Sequence, residues 1–86
     1  MDDIAKWRGK IDEIDKQLVK LLNERAACAI EIGKIKHDNG LEIYNPEREK
    51  QIKISLNEMN MGPLDNETVE LLFEKIIEAC RKCEKM

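Results

Sequence analysis

Apolar residues return along the first forty positions at alternating intervals of three and four: Ile4, Trp7, Ile11, Ile14, Leu18, Leu21, Cys28, Ile32 and Ile35. That rhythm marks one face of a helix, with polar residues covering the remaining surface. The segment from about Asp2 to His37 contains no proline and predicts one uninterrupted helix. At 1.5 Å per residue it would span roughly 50 Å, against an ordinary globular helix of about 11–12 residues. Asp38-Asn39-Gly40 supplies its stop, with Gly40 suited to a left-handed conformation.

Two further helices follow a short connector, Leu41 to Tyr44. The second opens on Asn45 as N-cap and Pro46 at the first helical position, with Glu47 and Glu49 complementing the helix dipole. Ile52, Leu56 and Met59 are its predicted buried side, and Asn60-Met61-Gly62-Pro63 ends it. The third opens near Asp65 or Asn66 and carries an apolar stripe of Val69, Leu72, Phe73, Ile76, Ile77, Cys80 and Cys83 towards the C-terminus. The pattern predicts a single all-α domain over residues 1–86, with one very long, one short and one medium helix. The two later helices are too short to cover the seam of the first. Two copies are therefore expected to pack their long helices together in an intertwined homodimer.

Composition agrees with this picture and narrows the partners. At 86 residues the chain is near the lower limit for a self-sufficient core. Aromatics make up only 3 % of it, so burial must come from Leu and Ile, which suits packed helices. A net charge of −3 argues against a nucleic-acid partner, whose footprint is a basic stripe. No run approaches the roughly 20 apolar residues of a membrane span, so no membrane partner is expected. The opening Met1-Asp2-Asp3 lacks an apolar run, and three cysteines form no disulfide framework; a cytoplasmic protein with reduced thiols is expected. Cys80 and Cys83 form C-x-x-C near the end of a helix, where a thiolate gains nothing from the dipole; only His37 could add a nitrogen ligand, and there is no second cysteine pair. Buried packing is their expected role, with no metal and no cofactor.

One position breaks the seam. Between Leu21 and Cys28 the rhythm requires an apolar side chain and finds Arg25. A charge within a packing face is costly unless paired. Arg25 therefore has either a partner inside the protein or an anion from outside. Lys36 follows eleven residues later, which returns it to within about 20° of the same face. Ala29, Ile32 and Gly33 lie on or near the strip between these two cations, a setting suited to a small dianion. Taken by themselves, Arg8, Arg48 and Glu49 read as ordinary surface charges, and Glu84 as a terminal one.

As an ordered set these segments resemble the all-α class of chorismate mutase. The resemblance rests on Trp7-Arg8-Gly9-Lys10-Ile11-Asp12-Glu13-Ile14-Asp15, Leu21-Leu22-Asn23-Glu24-Arg25, Ile32-Gly33-Lys34-Ile35-Lys36 and Asn45-Pro46-Glu47-Arg48-Glu49. Leu72-Phe73-Glu74-Lys75-Ile76-Ile77-Glu78 continues it into the third helix, so it covers essentially the whole chain. The resemblance implies an intertwined helical dimer that rearranges chorismate to prephenate on the route to phenylalanine and tyrosine. It implies that Arg25 and Arg48 grip carboxylates and that Arg8 reaches in from the other protomer. Lys36 would meet the ether oxygen and a carboxylate, Glu49 would accept the ring hydroxyl, and Ala29, Ile32 and Ile77 would form apolar walls.

Four positions depart from the family's habit. Glu84 stands where many members have a glutamine that contacts the ether oxygen, although fungal members also have glutamate. A carboxylate donates no hydrogen bond, so Glu84 is expected to be protonated, held so by burial or by neighbouring acids. Cys80 stands where a serine often helps bind a carboxylate, and Asn45 where an aspartate is frequent. Arg81 replaces a small wall residue and is expected either to turn outward or to add a cation. Two other functions fit the same helices: an isochorismate pyruvate-lyase with a similar cationic pocket, and a non-catalytic helical dimerisation module.

Overall fold

The computed structural model describes residues 2–86 and consists of α1 (Asp2–Asp38), α2 (Pro46–Met59) and α3 (Asn66–Glu84). Among the described residues there is no strand. The all-α class and the long, short and medium order follow the hydrophobic pattern.

The helix ends are made by the residues that punctuate the sequence. Gly40 adopts φ 65°, which lets its N–H reach the His37 carbonyl at 3.2 Å and the Leu41 N–H reach the Lys36 carbonyl at 2.8 Å. This crossed pair satisfies the last carbonyls of α1, and a side chain at Gly40 would strain it. The turn also carries Ile43 back over the last turn of α1, where its carbonyl accepts a hydrogen bond from Lys36 Nζ at 2.7 Å. Asn45 caps α2 by accepting from the Arg48 N–H at 3.1 Å. Asp65 caps α3 by accepting from the Thr68 N–H at 2.8 Å, and its hydrogen bonds to Thr68 hold its carboxyl below the ordinary carboxylate range. Asn60 ties the intervening loop together through the Leu64 carbonyl at 2.9 Å and Asn66 Oδ1 at 2.7 Å.

Packing is arranged around α3. It lies against both α1 and α2, while α1 and α2 do not pack against each other. The buried apolar residues are few: Ala29, Leu56, Ile77 and Cys80. Small residues allow the α1–α3 approach, and at Gly33 the two backbones touch. A Cβ at Gly33 would collide with the Glu84 carbonyl oxygen and would stand 2.7 Å from its Cα. Glycine at this position therefore sets how closely the end of α3 seats on α1.

Two expectations about burial are corrected. Met59, in the last turn of α2, is 66 % exposed, so within one chain the apolar side of α2 is buried at Leu56 and not at Met59. Leu72 is 53 % exposed, so the apolar stripe of α3 is narrower within one chain than its periodicity implies.

The chain is elongated, measuring 57 × 24 × 15 Å with a radius of gyration of 16.2 Å. A compact chain of this length would have about 12 Å. Its accessible surface is 7311 Å², against about 5,200 Å² for a compact monomer of the same mass. The excess lies largely on α1. Ile4, Trp7, Ile11, Ile14, Leu18 and Leu21 are between 47 % and 58 % exposed and form a continuous apolar face that nothing among the described residues covers. Among the described residues no helix is long and apolar enough to cross a membrane.

Candidate active site

Because α1 and α2 rest on α3 without meeting, a cleft of about 400 Å³ opens between them. α1 lines it with Arg25, Cys28, Ala29, Ile32 and Lys36. The connector and α2 supply Ile43, Asn45, Arg48, Glu49 and Ile52, and α3 supplies Ile77, Cys80, Arg81 and Glu84. The structure thus brings together Arg25, Ala29, Ile32, Lys36, Asn45, Arg48, Glu49, Ile77, Cys80 and Glu84, which are all but one of the candidates from sequence. The exception is Arg8. It is exposed on α1 seventeen residues before Arg25, a separation of roughly 25 Å along the helix. Within one chain it does not belong to the cleft.

The charges of the cleft are sorted by their partners. Lys36 Nζ lies 2.8 Å from Glu84 Oε1, and the two side chains are only 17 % and 13 % exposed. Burial of both ends makes this a pair that neither partner can leave cheaply. Of the two expected influences on Glu84, burial is present, while the group facing it is an ammonium and not an acid. Arg81 Nη2 lies 3.5 Å from Glu49 Oε1, with both side chains about a third exposed. Among the described residues Arg25 and Arg48 have no carboxylate within 4.0 Å. The cap on Asn45 anchors the backbone of Arg48, while the long helix anchors Arg25. Four cations against two carboxylates leave the cleft with two net positive charges, both on arginines without a protein partner. Planar guanidinium groups match carboxylates bidentately, so this charge suits a dicarboxylate.

Arg81, expected either to turn outward or to add a cation, faces the cleft and meets Glu49. Other lining residues escaped the sequence reading. Cys28 and Ile52 also line the cleft, and both carried a signal: Cys28 lies three residues after Arg25 and Ile52 four after Arg48, spacings that share a helix face. Ile43 enters through the turn built on Gly40, which no periodicity describes. Cys80 is buried and Cys83 half-buried, as packing residues should be, while Cys28 is exposed, and all three are free thiols. Among the described residues no group of three His, Cys, Asp or Glu side chains is placed to hold a metal ion.

Comparison with known proteins agrees with this geometry. A family model for chorismate mutase type II matches residues 7–85. The bifunctional chorismate mutase/prephenate dehydratase of Pseudomonas aeruginosa is 36 % identical over 89 residues, covering 98 % of this chain and 24 % of that protein. The chain therefore spans about a quarter of the length of the bifunctional relatives it matches. Among solved structures, a chorismate mutase from Thermus thermophilus aligns with a TM-score of 0.93 at 33 % identity, covering 95 % of this chain and 93 % of that one. A chorismate mutase from Helicobacter pylori in complex with prephenate aligns with a TM-score of 0.91 at 27 % identity, covering 99 % and 92 % respectively.

Proposed function

The chain belongs to the chorismate mutase type II family, and we propose that its cleft rearranges chorismate to prephenate within a homodimer, with Arg8 supplied by the second copy. The observation that carries this reading is the pair of arginines, Arg25 and Arg48, left without carboxylate partners beside one cleft. The substrate is a dianion, and its two carboxylates complete the charge balance. Its likeness to a chorismate mutase solved with prephenate supports the same assignment.

The reaction asks little else of the protein. A carbon–carbon bond forms as the ether C–O bond breaks, in one concerted step with no nucleophile. Part of the barrier that an enzyme can remove lies in folding the enolpyruvyl arm over the ring, and two anchored carboxylates do that. Ala29, Ile32 and Ile77 give the folded substrate an apolar wall, and Cys80 lines the carboxylate end beside it. Asn45 contributes chiefly by capping α2, since its side-chain oxygen is already engaged with the Arg48 N–H. The rest of the barrier is electrostatic, because negative charge gathers on the ether oxygen as its bond breaks. Lys36 is the donor for it.

Glu84 follows from Lys36. In the free cleft the ammonium holds the carboxylate at 2.8 Å. Lys36 Nζ has three N–H donors, and its bonds to Ile43 and Glu84 leave the third for the ether oxygen. Glu84 donates to that oxygen itself only as the acid, whereas a glutamine amide always donates. Glu84→Gln is therefore expected to keep or raise the rate of prephenate formation and Glu84→Ala to lower it; a Glu84→Gln variant as slow as Glu84→Ala would remove Glu84 from the ether oxygen.

The function itself is tested by incubating the purified chain separately with chorismate and isochorismate. Prephenate from chorismate is the expected product. Pyruvate and salicylate from isochorismate would instead make it a lyase, and no product from either would make it a dimerisation module.

A further inference from the structure

Unlike Arg25 and Arg48, Arg81 is held on two sides by protein. Its guanidinium carbon lies 5.1 Å from the centre of the Tyr44 ring, and its Nη2 lies 3.5 Å from Glu49 Oε1. These contacts join the connector, the first turn of α2 and the last turns of α3. Among the described residues, Arg81 is the hydrogen-bond partner of the Glu49 carboxylate. Glu49 and Arg81 also line a second groove of about 520 Å³ on the Tyr44 side, so the pair forms part of the partition between groove and cleft.

The consequence falls on Glu49. A glutamate near a helix start has a long, freely rotating side chain, and presenting one oxygen to a ligand requires that freedom to be lost. A guanidinium stacked on an aromatic face is already ordered and offers its donors in a fixed plane. One bond to Arg81 leaves the carboxylate with acceptor sites to spare. We propose that Arg81, held against Tyr44, is a positioning residue that fixes the Glu49 carboxylate to accept the ring hydroxyl of the substrate. The inference rests on the mutase reading and adds a support that the sequence reading left open between an outward-turned side chain and a further cation.

The test uses the full chain and two substrates, chorismate and its ring-hydroxyl methyl ether, which has no proton to donate. Arg81→Met is expected to lower kcat/KM for chorismate about tenfold, the size of one charge-assisted hydrogen bond in a partly exposed site. The loss should appear in kcat more than in KM and should largely vanish with the methyl ether. It should also vanish when Glu49 is already Gln, because the two residues act as one unit. Tyr44→Leu should reproduce the substrate-dependent loss and Tyr44→Phe should recover most of it; this pair carries the test if melting curves show Arg81→Met unfolded. Equal losses on both substrates, additive losses with Glu49→Gln, or no loss at all would overturn the proposal. A wild-type chain that forms no prephenate would instead overturn the mutase reading, which is read from the wild type alone.

Discussion

Arg25→Ala is expected to lower kcat/KM for chorismate by about a thousandfold, roughly 4 kcal/mol of transition-state stabilisation, without lowering the melting temperature. The two halves of this expectation come from one fact. Arg25 interrupts an apolar helix face and is half-buried, yet no carboxylate of the described residues lies within 4.0 Å of it. Arg48 and Lys36 line the same cleft, so in the free protein Arg25 contributes repulsion and desolvation rather than attraction. Removing it relieves both. Only the bound substrate returns the missing counter-charge, and it does so through a fork that grips two oxygens. Arg25→Lys keeps the charge and loses the fork, and an intermediate loss is expected of it. Initial rates of prephenate formation and thermal melts on the same preparations decide the matter. A variant that keeps its activity, or one that loses its fold, would make Arg25 a structural residue.

This charge in the wrong place is also the point at which function was legible without a structure. The period of three and four identified the helix face, and the face made Arg25 conspicuous. Capping chemistry located the start of α2 at Asn45 and that of α3 at Asp65 or Asn66, of which Asp65 is the cap, and Gly40 located the end of α1. Those signals are local, because each depends on a few adjacent residues. What stayed hidden depends on elements meeting. Arg81 and Glu49 are thirty-two residues apart, and Lys36 and Glu84 forty-eight, with nothing in either spacing to announce a contact. The ammonium faces Glu84 because Gly33 lets the end of α3 seat directly on α1. Met59 and Leu72 show the opposite failure. Their periodicity was sound, but a three-helix chain is too small to cover every apolar face that it builds.

Arg8→Ala and Arg25→Ala, each inactive alone, are expected to restore about a quarter of wild-type activity when mixed in denaturant and refolded together. The argument begins with the uncovered seam of α1, from Ile4 to Leu21, and with an accessible surface far above that of a compact monomer. A second copy related by a two-fold axis would cover that face with the same face. Arg8 lies roughly 25 Å along α1 from Arg25, too far to serve its own cleft, so any role at a cleft must be played in the other chain. In a mixed dimer one cleft then joins an intact Arg25 to an intact Arg8, while the other cleft carries both substitutions. Random pairing makes half of the dimers mixed, and each has one working cleft of two. If Arg8 served its own chain, every cleft in the mixture would retain one defect and no activity would return. Sedimentation of the same samples separates this from simple failure to associate, since the apolar residues of the seam are untouched in both variants. Restored activity in a dimeric fraction would make the site a property of two chains, and its absence from a dimeric fraction would remove Arg8 from the partner's cleft.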